Sequence, residues 1–378
     1  MPALKEITVF TNGSPEKLST FSNVPFFFIK TLREKGIRVN TVNIEPIAQW
    51  GKLWNRYMLR LIRILIPGST YSYDRTRINE WSMDMKIAKA VGNYPNAQAN
   101  VFLTFIANGK KQSSLPSILV SDWSYEYVLR NFWDQEPDFL QKRAILRQNA
   151  ILEGADHIFC LFPGSMREMR DQYKRPQIHY LGNFLNCFES PPRDILEKKK
   201  DSYKILFIGK SHYKEGAEIL LKVFQKLKPL YPKYELDIIG MNKEDLGQIP
   251  EGVRVHGYLD KEKLEDRTMF YHLLENARVF INTNPKWGAF SSTLEALFFY
   301  TPIIISPYEE FILNFGREIP FGIFCPESNE EKLFSGIQEI MNASNYLELC
   351  QNAHETVKTF TWESVCKNLF TRIGFEIV

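Results

Sequence analysis

The sequence predicts an α/β protein made of two successive doubly wound domains, and three observations carry that reading. The chain has 378 residues, more than one hydrophobic core usually serves. Its opening reads strand, loop, helix, glycine, strand, the start of a βαβ unit with a parallel sheet. After a mid-chain stretch rich in proline and charge, the same pattern begins again at Tyr203.

In order, residues 7–11 form an apolar strand that runs into Asn12-Gly13-Ser14-Pro15. A helix over 24–35 ends at Gly36, and 37–44 is the next strand. Further strands are expected at 101–105, 118–120, 157–162 and 178–181, with helices between them, the clearest at 139–152. The segment 189–204 has two prolines, a charge run and few apolar residues, the texture of a solvated boundary. Domains are therefore set at 1–187 and 204–360, joined by a linker at 188–203. The second domain starts with a strand at 205–208, a loop at 209–216 and a helix at 217–227 whose apolar positions share one face. Strands at 236–239, 253–255, 279–281 and 303–305 alternate with helices, as in a doubly wound fold. Residues 361–378 open with Thr361-Trp362-Glu363 and continue as a closing helix. Two such domains imply a cleft between them, with ligands at the carboxyl ends of both sheets.

Composition excludes several classes. With 44% hydrophobic and 24% charged residues, the chain has the balance of a soluble globular protein. A net charge of +3 is too small to argue for nucleic acid as a partner. The five cysteines are widely spaced without a C-x-x-C pair, which fits reduced thiols in the cytoplasm. The six histidines make no H-x-x-x-H or H-E-x-x-H pattern, so no metal is expected. The start, MPALKEITVF, lacks the architecture of a signal peptide, and no run approaches the roughly 20 apolar residues of a membrane span.

The stretch 284–305, NPKWGAFSSTLEALFFYTPIII, organises the second half. Gly288 permits a tight backbone, and Ser291 and Ser292 are placed to cap a helix. Leu294, Leu297 and Phe298 bury one helical face, Thr301-Pro302 stops the helix, and three isoleucines read as a buried strand. A helix start at a sheet edge favours anions through its free N–H groups and its dipole. Glu295 sits about one turn in, within reach of a sugar hydroxyl borne by a bound phosphate, or else is an exposed acid favoured by the dipole.

This segment resembles the donor-site signature of the retaining glycosyltransferases of the GT-B fold, glycosyltransferase family 4. That signature has two glutamates eight positions apart, typically E-G-F-G-x-x-x-x-E, and closes on P-V-I. Glu295 matches the second glutamate, Gly288 the first glycine, and Thr301-Pro302-Ile303 the ending. The first glutamate is absent, because position 287 is Trp287, and Ala289-Phe290 replaces the usual Phe-Gly. The resemblance extends along most of the chain. Phe21-Ser22-Asn23-Val24-Pro25-Phe26 is similar to S-G-T-P-Y-F, Ser121-Asp122-Trp123-Ser124 to T-D-A-T/S, and residues 148–153 to G-N-A-L-E. Phe207-Ile208-Gly209-Lys210 with Glu215-Gly216 is similar to F-V-G-R-x-x-x-x-K-G. It implies two Rossmann-like domains facing a deep cleft, with a C-terminal helix that crosses back to the first domain.

Site residues follow on those positions. The resemblance implies that Lys210, beside Gly209, binds the donor diphosphate with Glu295 on the ribose; these two are the catalytic assignments. Lys210 keeps the family's charge without the bidentate fork of arginine. The family's second cation falls on Glu215 here, with Lys214 one residue before it. Tyr258 follows His256-Gly257, where the family's backbone meets the nucleobase. Trp287 is either a packing residue or a platform for a sugar face. Gly13 lies in the first strand-to-helix loop, as a close approach to substrate or as a plain turn glycine. Asp122 either orients an acceptor hydroxyl or caps the helix near Ser124.

Residues 46–73 contain no acid, and KLWNRYMLRLIRILI within them reads as a helix with Arg56, Arg60 and Arg63 in a stripe. A basic amphipathic helix of this kind suits a membrane surface; it also reads as a first-domain helix whose apolar side packs on the sheet, and both hold if it packs inward and offers arginines outward. The whole reads as a cytoplasmic, metal-independent, retaining glycosyltransferase, peripheral at the inner face of the membrane. Its partners are a nucleotide-diphosphate sugar, a glycan or lipid-linked acceptor, and an anionic membrane touched weakly through Arg56, Arg60 and Arg63. A GT-B nucleotide-sugar-binding module without activity and a GT-B sugar-nucleotide epimerase are the alternatives.

Overall fold

Twelve strands, most of them rich in valine, isoleucine, leucine or phenylalanine, lie among the described residues, which are 1–283, 290–326 and 329–377 of this computed structural model. The chain divides into two units, one of Met1–Asn183 with Trp362–Val378 and one of Phe184–Thr361.

The first unit holds β1 (Glu6–Thr11), β2 (Arg38–Asn43), β3 (Asn100–Leu103), β4 (Ser117–Ser121), β5 (His157–Cys160) and β6 (Gln177–Tyr180). They form one sheet in the order β2-β1-β3-β4-β5-β6, every pair parallel. Strands β3 and β4 are buried at every residue, as a sheet covered on both faces requires. The chain steps from β1 to β2 on one side and then to β3 on the other, so the order reverses between β1 and β3. Across this point Phe10 stacks on Phe102 with ring centroids 4.5 Å apart. Helix Val24–Glu34 buries Phe27, Phe28, Ile29 and Leu32. The closing helix Trp362–Arg372 lies beside it in the same unit, with Trp362 and Phe370 each 6.3 Å from the Phe28 ring and Glu363 paired with Lys35.

The second unit holds β7 (Lys204–Ile208), β8 (Glu235–Ile239), β9 (Val253–Val255), β10 (Ala277–Asn282), β11 (Ile303–Ile305) and β12 (Gly322–Phe324). Their order is β12-β11-β10-β7-β8-β9, again all parallel, and the reversal falls between β7 and β10. Its core gathers Phe207, Leu236, Ile238, Val279 and Ile304 from the strands with Leu220, Val223 and Phe224 from helix Lys214–Leu227.

Two segments depart from the sequence reading. Residues 188–203 are not a solvated linker but part of the second unit. Within them helix Ile195–Lys200 carries Lys199 fully buried. Its amine donates to the carbonyls of Leu274 and Ala277 and to Thr301 Oγ1, the last two at 2.7 and 2.6 Å. Three acceptors meet the amine, and burial lowers its pKa to about 7, an environment that a charge count cannot reveal. The basic stretch is helical over 48–65, with a wide π turn at Trp54–Met58, and Trp54 and Ile62 pack inward while most of its apolar residues do not.

Candidate functional site at the strand ends of the second unit

In an open parallel sheet, ligands bind outside the carboxyl ends of the strands where the strand order reverses. In the second unit that point lies past β7 and β10. Strand β7 delivers Gly209 and Lys210, β8 delivers Gly240, and β9 delivers His256, Gly257 and Tyr258. Backbone bonds clamp these three loops, from Gly209 N to the Ile239 carbonyl at 2.9 Å and from Gly240 N to the Gly257 carbonyl at 2.7 Å. Gly240 has φ +97°, and a Cβ there would come within 2.6 Å of the Gly209 carbonyl oxygen, so this close approach requires glycine.

Lys210 is exposed, and its ammonium stands 5.2 Å from the centroid of the Tyr258 ring. The structure thus brings together two residues that the sequence singled out 48 positions apart. Burial raises the pKa of the Tyr258 hydroxyl, with Asp260 and Glu262 adding to it. Lys214 opens helix Lys214–Leu227, is exposed, and pairs with Glu218 at 3.5 Å. Glu215 shares that first turn, where the helix dipole favours an acid. His256 Nε2 lies 2.7 Å from Oδ1 of Asp237, a carboxylate only 2% exposed, which makes the pair part of the strand ends rather than a free base.

Past β10, Trp287 and Gly288 lie outside the described residues. Helix Ser291–Phe298 follows. Ser291 and Ser292 do not cap it; they occupy its first turn, and Phe290 holds the cap position. The reason is packing: the Phe290 ring is buried and lies 5.5 Å from Phe311 and 6.0 Å from Phe315, and a phenyl ring accepts no cap bond. Leu294 and Leu297 are buried as the spacing requires, with Ala296 beside them, whereas Phe298 is only half-buried.

Glu295 is not an exposed acid. It is 3% exposed, and the ammonium of Lys261 sits 2.9 and 2.6 Å from its two carboxylate oxygens. That ammonium also lies 3.8 Å from the Phe270 ring centroid, a cation–π contact in a nearly dry setting. Burial pushes the Glu295 carboxyl up, and the charge and hydrogen bond of Lys261 pull it back. Burial, with Glu295 adding to it, raises the pKa of the Cys187 thiol and the Tyr271 hydroxyl, and Phe188 N donates to that hydroxyl at 2.7 Å. Sequence reasoning missed Lys261. It stands in a run of alternating charges, and nothing local marks a partner 34 residues away.

In the first unit Gly13 follows β1 at the reversal, with φ +119°. Its N–H donates to Asn43 Oδ1 at 3.1 Å, and its carbonyl accepts from Thr11 Oγ1 at 2.7 Å. Asp122 does not cap a helix: its Oδ1 accepts from Trp123 N at 2.8 Å, while Ser124 Oγ makes the cap to Tyr127 N at 3.1 Å. Burial raises the pKa of the Asp122 carboxyl against those hydrogen bonds. The neighbouring Trp123 ring stacks with Tyr127 at 4.5 Å and with Phe162 at 4.4 Å, which makes it part of an aromatic stack. Among the described residues no three His, Cys, Asp or Glu side chains converge on a metal position, and no helix is long and apolar enough to cross a membrane.

Residues 191–359 match the family model for glycosyl transferases group 1. An uncharacterized glycosyltransferase of Methanocaldococcus jannaschii, MJ1069, is 27% identical over 207 residues, covering 50% of each chain. The chain spans about half the length, or less, of the curated relatives it matches. Among solved structures, sucrose-phosphate synthase from Thermosynechococcus elongatus superposes with a TM-score of 0.66 at 15% identity, covering 98% of both chains. The HepE protein of Anabaena, in complex with UDP and glucose, does so with a TM-score of 0.60 at 14% identity over 98% and 99%. The two parallel six-stranded sheets share the GT-B fold with these structures.

Proposed function

We propose, from the premise that the chain belongs to the group 1 glycosyltransferases with the GT-B fold, that it moves a sugar from a nucleoside-diphosphate donor to a hydroxyl of a glycan or lipid-linked acceptor. The anomeric configuration is retained and no metal takes part. The observation that carries this reading is the composition of the strand ends at the β7/β10 reversal, with Lys210 after one strand and the Ser291 helix start after the other. The same helix holds Glu295 in place against Lys261.

In this reading Lys210 and the first N–H groups of the Ser291 helix meet the diphosphate, and the Tyr258 ring lies beside the base. Each Glu295 oxygen, although bonded to Lys261, keeps a lone pair for a ribose hydroxyl. The acceptor oxygen forms its bond to the anomeric carbon on the side from which the diphosphate oxygen departs, and the hydroxyl proton passes to that diphosphate. Charge grows on the leaving group, and a fixed cation with oriented N–H groups stabilises it without reorganising. Gly13 and Asp122 in the first unit are assigned to the acceptor. A cytoplasmic site of action fits five cysteines that form no disulfide.

The test is a panel of nucleoside-diphosphate sugars read first by thermal shift, since a bound donor raises apparent stability. Free nucleotide is then measured with and without acceptor. Release that depends on acceptor is the expected result. A change in the sugar without acceptor identifies an epimerase, and binding without either reaction identifies an inactive module; both would overturn the proposal.

A further inference from the structure

The helical stretch 48–65 in the first unit has a surface that the transfer reaction does not use. None of its residues is buried. On the inner side Trp54 and Ile62 pack on the cluster of Tyr71, Leu129 and Ile145, and the Trp54 indole N–H donates to the Tyr71 carbonyl at 3.3 Å. These two residues are eight apart, which is about one wide π turn plus one α turn, so the π segment keeps both on the inner side. A second row at every fourth residue, Leu53, Tyr57, Leu61 and Leu65, is left outside, with exposures of 50, 52, 55 and 83%. Trp50 and Ile64 extend the apolar surface at 55 and 75%.

The cations are not spread evenly. Lys52, Arg56 and Arg60 are exposed on the same helix, and the whole segment 46–73 has no acid to neutralise them. Arg63 differs in that its Nε donates to the Ser69 carbonyl at 3.1 Å, which fixes the side chain while leaving the guanidinium's charge and its other N–H groups in place. Water is a poor neighbour for a continuous row of leucine, tyrosine and tryptophan side chains. A surface that is both apolar and acid-free cationic matches one environment closely, the boundary between acyl chains and anionic headgroups. Four basic residues within 48–65 keep such a helix in the plane of that boundary rather than across it.

We infer that helix 48–65 is an interfacial anchor for an anionic lipid bilayer. Leu53, Tyr57, Leu61 and Leu65 enter the acyl boundary, and Lys52, Arg56 and Arg60 face the lipid phosphates. The inference stands on this helix and does not depend on the transferase reading.

Flotation of the full chain with phosphatidylcholine vesicles, with and without phosphatidylglycerol, tests it at low and high salt. The wild type should float with the anionic vesicles at low salt and far less with neutral ones. The triple variant Lys52→Gln, Arg56→Gln, Arg60→Gln should lower vesicle affinity on the order of a hundredfold. The triple variant Leu53→Ser, Leu61→Ser, Leu65→Ser should release the chain even at low salt, with an unchanged circular dichroism spectrum showing that the fold persists. Wild type that stays unbound with anionic vesicles overturns the inference. So does a serine variant that floats as well as wild type. A dimer in light scattering that the serine variant converts to monomer, without vesicle binding, would assign the row to a second copy of the chain instead.

Discussion

Lys261→Met is the most informative single change in the second unit, because it deletes one charge and keeps most of the side-chain volume. In the wild type, burial raises the Glu295 carboxyl above its usual 4.5 and Lys261 lowers it again. A carboxyl whose folded pKa exceeds its unfolded one binds a proton more tightly when folded. Its stabilising contribution is therefore present below the unfolded pKa and is lost as pH rises through the folded one. Without Lys261 the folded pKa climbs further, so that window widens upward. At pH 8 an uncompensated buried carboxylate should destabilise the second unit by about 3–5 kcal/mol. As pH falls, the carboxyl takes its proton, and the loss shrinks by at most about 1.4 kcal/mol per pH unit until little remains near pH 5. Urea denaturation of the full chain, with the second-unit transition followed by circular dichroism at pH 5, 6.5 and 8, reads this directly. Adding Glu295→Gln to Lys261→Met removes both charges and should recover most of the stability at pH 8. An equal loss at pH 5 and pH 8, or a double variant no better than the single one, would refute the argument that a buried charge pair holds this helix.

The other expected outcomes concern the loops around the reversal. Lys210→Ala should weaken binding of a nucleoside diphosphate by about 1.5–3 kcal/mol, measured by titration calorimetry, because a charge-assisted phosphate contact is lost; unchanged affinity would remove Lys210 from the site. Gly240→Ala should lower stability by about 1–3 kcal/mol in the same urea assay, since φ is +97° and the new Cβ meets the Gly209 carbonyl. An unchanged midpoint would mean that the two loops are not clamped together. Trp287→Glu supplies the signature's first glutamate, yet on the proposed donor site it should lower turnover on the native donor by adding a negative charge beside an anionic ligand. A gain on ordinary hexose donors would refute that.

Most strands of the parallel sheets were legible in the sequence because they are short apolar runs ended by punctuation, by Gly209 after 205–208 and by Ser306-Pro307 after 303–305, whereas β12 at Gly322–Phe324 was not read. Period and punctuation are local, and a central strand has no other way to be built. What stayed hidden depends on partners distant in sequence. Lys199 looks like one lysine in a charged run, and only the carbonyls of Leu274 and Ala277 with the Thr301 hydroxyl reveal a buried amine. Ser291 and Ser292 have the right chemistry for a cap, yet the aromatic cluster around Phe290 decides which residue occupies that position. Propensity gave way to packing there. The basic stretch is helical as its pattern predicts, and Arg56 and Arg60 are exposed on it. The π turn, which no residue type announces, sets which apolar side chains face inward.

The loop after β9 connects these points. It carries Tyr258, whose ring meets the Lys210 ammonium at 5.2 Å, and three residues later Lys261, which grips Glu295. One short segment thus touches both flanks of the reversal, the lysine that follows β7 and the helix that follows β10. At its start the Gly257 carbonyl is bonded to Gly240 N, and within it Asp260 N is tied to Asp266 Oδ2 at 3.0 Å, so the segment is anchored on both sides of Tyr258. Where the signature that this segment resembles has a first glutamate, this chain has Trp287 and so one carboxylate fewer. The acid that remains is held by a lysine from the same loop that positions the tyrosine. Changes in this loop should therefore move diphosphate and ribose recognition together, whereas a substitution confined to Lys210 should move the diphosphate alone. A nucleoside and a nucleoside diphosphate titrated against Lys210→Ala and Lys261→Met separate the two. If Lys261→Met at pH 6.5 weakens binding of both ligands while Lys210→Ala weakens only the diphosphate, the loop is the element that couples the site. Equal effects of the two variants on both ligands would show that the coupling runs through the sheet instead.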